Sequence, residues 1–174
     1  MLIFSALFSF TGVTAQTYYY NTTKTFNENG YSYQCDKPDW GLVTLYNKAN
    51  QYTYAPYEYK DGSPVKNLEN LFPLIKYDNL TEQKCISIVN NAFSPAEKQR
   101  IKGSKADVNM IIDTFTGKVI EVNFSFFYTS PGATISVSTY RALELALKSQ
   151  IQFTITDNGK KLKFIKRYWR YEIE

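Results

Sequence analysis

Apolar side chains recur at every second position in two long stretches of the chain. Val108, Met110 and Ile112 form one series, and Val122, Phe124 and Phe126 form the other. Alternation of this kind puts one side of a strand in a core, and it predicts strands over 106–113 and 118–128. Thr114-Phe115-Thr116-Gly117 between them reads as a hairpin loop. The period then changes. Tyr140, Leu143, Ala146 and Leu147 recur at helical spacing and predict a helix over 137–149. Strand patterns return over 151–155 and 162–173, separated by Asp157-Asn158-Gly159.

The helical period also appears earlier, in Leu80, Cys85, Ile88, Val89 and Ala92. It predicts a helix over 79–93 with Asn79 as its cap and Glu82 as capping-box partner. Ser94, Pro95 and Glu97 open a shorter helix that Gly103 stops. Upstream, strands over 22–26 and 31–35 flank Asn27-Glu28-Asn29-Gly30, a strong hairpin signal because Asn and Gly both tolerate positive φ. Residues 42–46 and 52–54 form a second candidate pair. From Pro56 to Pro73 periodicity is lost, which predicts a long surface loop with a short helix near 68–72.

These elements predict an α+β fold: an antiparallel sheet with a packed helix in the order β-β-α-β-β over 104–174. A Tyr-rich β segment over 16–78 and a helical connection over 79–103 precede it, and 16–174 is expected to form one compact unit. Residues 1–15 stand apart. They carry no charged side chain, and Val13-Thr14-Ala15 has the small-residue pattern of a cleavage site. That is the grammar of a secretory signal peptide cut after Ala15, too short to span a bilayer. The expected location is therefore the periplasm or the cell exterior, with no stable membrane span after signal removal. In an oxidising compartment the two cysteines, Cys35 and Cys85, would form one disulfide; two separate buried thiols are the alternative.

Composition then narrows the chemistry. The sequence has no histidine, which removes the commonest general base, the Ser-His and Cys-His nucleophile pairs and most catalytic zinc sites. No phosphate-binding glycine loop or dinucleotide fingerprint is present, and neither cofactor nor metal is expected. Asp36 with Asp39 and Glu58 with Asp61 could act as carboxylate pairs, but loop aspartates commonly bond their own turns. The net charge of +4 is too mild to argue for nucleic acid.

Two features bear on binding. Tyrosines crowd the first half, and Tyr52, Tyr54, Tyr57 and Tyr59 could stack on a sugar; they could equally be strand packing with wet phenolic tips. Near the C-terminus, Lys163, Lys166, Arg167 and Arg170 interleave with Tyr168 and Trp169. That run could contact a partner or an acidic ligand, or it could be an edge strand whose charges resist aggregation.

Residues 93–173 resemble the C-terminal domain of TonB-type proteins. The resemblance rests on Phe93-Ser94-Pro95-Ala96-Glu97, Gly117-Lys118-Val119 between two strands, the helix with Ala142, Leu143 and Ala146, and Phe153 before Asn158-Gly159-Lys160. Ser94 is an insertion relative to that pattern, Thr154 stands where proline is usual, and the last strand lacks a Pro-Ile ending. The whole chain is also similar to a family of small uncharacterised exported proteins of Gram-negative gut anaerobes, a likeness that carries no activity with it. The TonB-type resemblance implies strand addition to the sheet of another envelope protein. The expected function is thus non-enzymatic binding through a sheet edge. The alternatives are a carbohydrate or small-ligand binder using its tyrosines and, third, a carboxylate-dependent hydrolase.

Overall fold

A computed structural model describes residues 18–173. The expected signal peptide lies outside them. β1 (Lys24–Glu28) and β2 (Tyr31–Asp36) form a hairpin. Its turn is the two-residue Asn29-Gly30, with φ of 45° and 79°, the mirror-image turn that matches strand twist. β3 (Leu42–Asn47) follows. Residues 48–78 contain only a single 3-10 turn, Leu68–Leu71, among the helices and strands. Then come α1 (Asn79–Ala92), α2 (Pro95–Ile101), β4 (Lys105–Asp113), β5 (Val119–Phe127), α3 (Val137–Gln150) and β6 (Phe164–Glu172). The fold is α+β, with one six-stranded antiparallel sheet in the order β1-β2-β3-β5-β4-β6.

The helices cover one face. Inward residues of five strands, among them Tyr33, Leu45, Phe124, Met110 and Trp169, meet Tyr140, Leu143 and Leu147 of α3 and Cys85, Ile88 and Val89 of α1 in one core. α3 is further tied to β2 by its fully buried Glu144, which accepts a hydrogen bond from the Tyr33 hydroxyl and from Arg141 Nη1 at 2.6 Å. The Ser94–Glu97 capping box of α2 forms as expected.

Four expectations change. The cap of α1 is Asp78, whose carboxylate accepts the Leu80 and Thr81 amides, so Asn79 is already inside the helix. Glu82 is drawn away instead to Arg167 and Trp169 Nε1 on β6. Residues 52–54 make no strand, because the free side of β3 pairs with β5 from far along the chain. Residues 151–155 make only single bridges, Gln152 with Lys118 and Ile155 with Ile75, since β4 is already flanked by β5 and β6.

The fourth change concerns the cysteines, which are free buried thiols and not a disulfide. Cys35 lies on β2, while α1, carrying Cys85, is held to β6 by Glu82 and by Asn90, which donates to the Tyr171 hydroxyl at 2.8 Å. β2 and β6 are four strand spacings apart, about 19 Å at ~4.8 Å each, and a disulfide needs Cα atoms within roughly 7 Å. Burial raises both thiols to about 11, which leaves them protonated and unreactive near neutral pH.

Candidate functional site

The face of the sheet away from the helices is built by the alternate residues of the same strands. Register sets these residues in rows. Gln34, Tyr46, Asn123, Asn109 and Tyr168 lie side by side across β2, β3, β5, β4 and β6. The next row is Asp36, Thr44, Ser125, Asp107 and Arg170. Asn109 Nδ2 donates to Asn123 Oδ1 at 2.8 Å and to Ser125 Oγ at 3.4 Å. Arg170 grips Asp107 with two nitrogens, the Nη2 bond being 2.7 Å. A bidentate pair of this kind fixes the plane of both groups and cancels their charge.

One end of this face is covered by residues 50–60, which cross it as a strap. Glu121, buried at the start of β5, accepts the Gln51 and Tyr52 amides at 2.7 and 2.9 Å. Lys166 donates to the Thr53 carbonyl at 3.4 Å, and its burial pulls the ammonium below its ordinary range. The Tyr52 and Tyr57 rings lie on Phe164, with centroids 4.5 and 5.7 Å away. The Tyr57 hydroxyl takes the Lys166 amide and donates to the Lys166 carbonyl. Beyond it, Tyr59 bridges Leu162, and the Lys163 amide donates to the Glu58 carbonyl at 2.9 Å.

Past the strap the face is open. A hollow of about 280 Å³ sits between Asp107, Asn109, Ser125, Tyr168, Trp169 and Arg170. Tyr168 is 73% exposed at one border. At the other, Tyr46 and Tyr54 both donate to Asp36 Oδ2, at 2.9 and 2.8 Å, with rings nearly perpendicular. Burial, and behind it the bond to Asp36, raises the Tyr54 hydroxyl to about 12, so it stays a neutral donor. Exposed Phe127 extends the same face beside Leu42. A larger depression, about 490 Å³, runs between α1 and α3, but its buried floor is apolar, around Ile88.

The sequence candidates divide accordingly. Tyr54, Tyr168 and Arg170 stand on the open face. Tyr52, Tyr57 and Tyr59 fasten the strap. Lys163 pairs with Glu58 at 3.1 Å, Lys166 lies under the strap, and Arg167 and Trp169 turn to the covered side, where Glu82 holds both. Asp36 belongs to the tyrosine border and Asp39 is exposed. Among the described residues, no group of three or more His, Cys, Asp or Glu side chains could hold a metal ion, and no helix is long and apolar enough to cross a membrane.

A family model described as "Domain of unknown function (DUF5043)" matches residues 16–169. The chain belongs to the DUF5043 family. The chain is also similar to a solved DUF5043 protein from Bacteroides uniformis, with 37% identity and a TM-score of 0.82 over 91% of this chain and 89% of that one. No curated protein matches it. This DUF5043 chain therefore shares its architecture with a protein of a gut anaerobe, and the family description leaves its chemistry to be argued from the site. Asn109 and Asp107, which line the hollow, and Asn123, buried beside Asn109, escaped sequence reasoning as site residues. Their signal was present: polar residues at alternate positions of two otherwise apolar strands.

Proposed function

We propose that this DUF5043 protein is an exported, non-enzymatic carbohydrate-binding protein whose ligand lies on the open sheet face. The observation that carries this reading is Asn109, which lines the hollow and is bonded to the buried Asn123, set between exposed Tyr168 on one side and exposed Tyr54 with half-buried Tyr46 on the other. A sugar ring has an apolar face that packs on an aromatic ring and an equator of hydroxyls that both donate and accept. Asn side chains match that dual demand, and tyrosine supplies rigid contact area with a polar tip. The carboxylates on the face are engaged, Asp107 by Arg170 and Asp36 by two neutral tyrosine hydroxyls, which argues against a free general base or nucleophile there. A neutral saccharide fits such a floor better than a protein partner does, because the centres of protein interfaces are depleted in Asp and Ser.

A glycan array on the protein, followed by calorimetry with the strongest hit, tests this. Tyr168→Ala is expected to weaken binding at least about tenfold, as loss of an aromatic contact worth ~1.4 kcal/mol would. An array without hits, or a hit indifferent to both Tyr168→Ala and Tyr54→Ala, removes the reading.

A second reading is pairing with the edge of another protein's sheet. Tyr168, Arg170 and Glu172 alternate with Ile173, whose amide and carbonyl both bond the β4 side, so their own backbone groups point outward beyond the strap. The likeness of residues 93–173 to TonB-type domains supports it. Against it, the strap occupies the edge from Leu162 to Lys166, and three outward residues make a short landing for a partner strand.

A further inference from the structure

One end of the molecule gathers exposed aromatic rings and lysines that neither the open face nor the core employs. Four segments meet there. The β4–β5 turn places Phe115 at its tip, 89% exposed. This turn is held stiffly. Asp113 Oδ1 accepts the Phe115 and Thr116 amides and the Thr116 hydroxyl. Gly117, at φ +74°, sits so close to Phe153 that a Cβ would lie 2.0 Å from its carbonyl oxygen.

The turn adjoins residues 152–162. Gln152 Nε2 donates to the Thr116 carbonyl at 2.8 Å, and Thr114 Oγ1 donates to the Leu162 carbonyl at 2.8 Å. That stretch in turn carries residues 73–76, through Thr156 Oγ1 to the Pro73 carbonyl and the Lys76 amide to the Thr154 carbonyl. Phe72 and Tyr77 flank the contact, 60% and 80% exposed. The Lys60 amide donates to the Lys161 carbonyl, which brings the fourth segment in.

Lys60, Lys76, Lys118 and Lys161 are all exposed at this end, and none of them is in an ion pair among the described residues. The nearby carboxylates offset part of this charge. Asp157 pairs with Lys160 and lies near Lys76 and Lys161, Glu58 pairs with Lys163, Asp113 lies near Lys60, and Asp61 bonds only Ser63; six lysines, with Lys160 and Lys163 counted, face these four carboxylates.

We propose that this end docks on an anionic lipid surface, with Phe115 entering the headgroup boundary and the four lysines facing lipid phosphates. Exposed rings ringed by lysine are the composition of an interfacial anchor, in which apolar burial and attraction to anionic lipid add together. The excess of lysine over carboxylate at this end selects a negatively charged surface, and the stiff turn presents its ring with little further loss of freedom on docking.

Co-sedimentation of the full chain with phosphatidylcholine vesicles, with and without phosphatidylglycerol, tests the proposal. Binding is expected only with phosphatidylglycerol and is expected to fall as salt is raised. Phe115→Ser, at a solvent-exposed tip, and Lys60→Glu with Lys161→Glu should each reduce the bound fraction several-fold while circular dichroism stays unchanged. Tyr168→Ala should leave it intact, which separates this surface from the proposed sugar site. Absence of binding to either vesicle, equal binding to both, or full binding by the Phe115→Ser protein overturns the proposal.

Discussion

The two faces of the sheet are made by alternate residues of the same strands, yet they behave as different materials. On the covered face Val108, Met110, Val122 and Phe124 interlock with α3 and α1 and are almost wholly shielded from water. On the open face their neighbours Asn109, Asn123 and Ser125 bond one another, and Asp107 bonds Arg170. Stability therefore resides on one side, where buried apolar area is large. The other side is free to present hydrogen-bonding groups whose loss the fold tolerates. The strap at residues 50–60 belongs to both regimes, because it buries Phe164 and Ile111 on the nominally open side.

The contrast can be broken most forcefully from the covered face. Phe124→Ala should destabilise by about 3–5 kcal/mol, the range for emptying a large aromatic site in a packed core, read as a fall in the urea midpoint. Next is the strap. Glu121→Ala leaves two amides without their acceptor and should cost about 1–3 kcal/mol. Limited proteolysis should then cut within residues 50–56 well before global unfolding; unchanged protection there would mean that the Tyr52–Phe164 and Tyr57–Phe164 contacts suffice.

Tyr168→Ala, on the open face, should shift stability by no more than ~0.5 kcal/mol, as for a surface residue without special contacts. A large loss would show that the open face contributes to the core after all. The smallest effect is that of pH on the β4–β5 turn. The Thr116 hydroxyl and the turn amides hold the Asp113 carboxyl below the ordinary carboxylate range. Because its folded pKa is depressed, its stabilisation is present above about pH 4, the unfolded value, and is lost as pH falls through the folded pKa. Amide exchange at Phe115 and Thr116 should speed up in that acid window, and in an Asp113→Asn protein the acid dependence should vanish.

Legibility followed locality. The alternation in β4 and β5, the stripe of α3, the Ser94–Glu97 box and the Asn29-Gly30 turn are decided within a few residues, and each appears where the pattern puts it. Expectations failed where a distant partner competed. Residues 52–54 lost their strand because β5 took the side of β3 they would have needed, and residues 151–155 lost theirs because β4 was enclosed. Glu82 left its capping box for Arg167, 85 positions away. Cys35 and Cys85 make a pair by count alone, but strand order keeps them apart as free thiols.

The candidate site shows the same division. The sequence alone determined that tyrosines and arginines would be available, that histidine chemistry was absent, and which residues of each strand share a face, since a period of two is a property of the extended backbone. It could not determine which face the helices would cover, nor that residues 50–60 would bend over the other one. Those outcomes depend on strand order and on contacts between residues far apart in the chain, and no local pattern encodes them. Tertiary structure alone therefore turned Tyr52 and Tyr57 into fasteners, left Tyr54 and Tyr168 facing water, and set the largely buried Asn109–Asn123 pair between them.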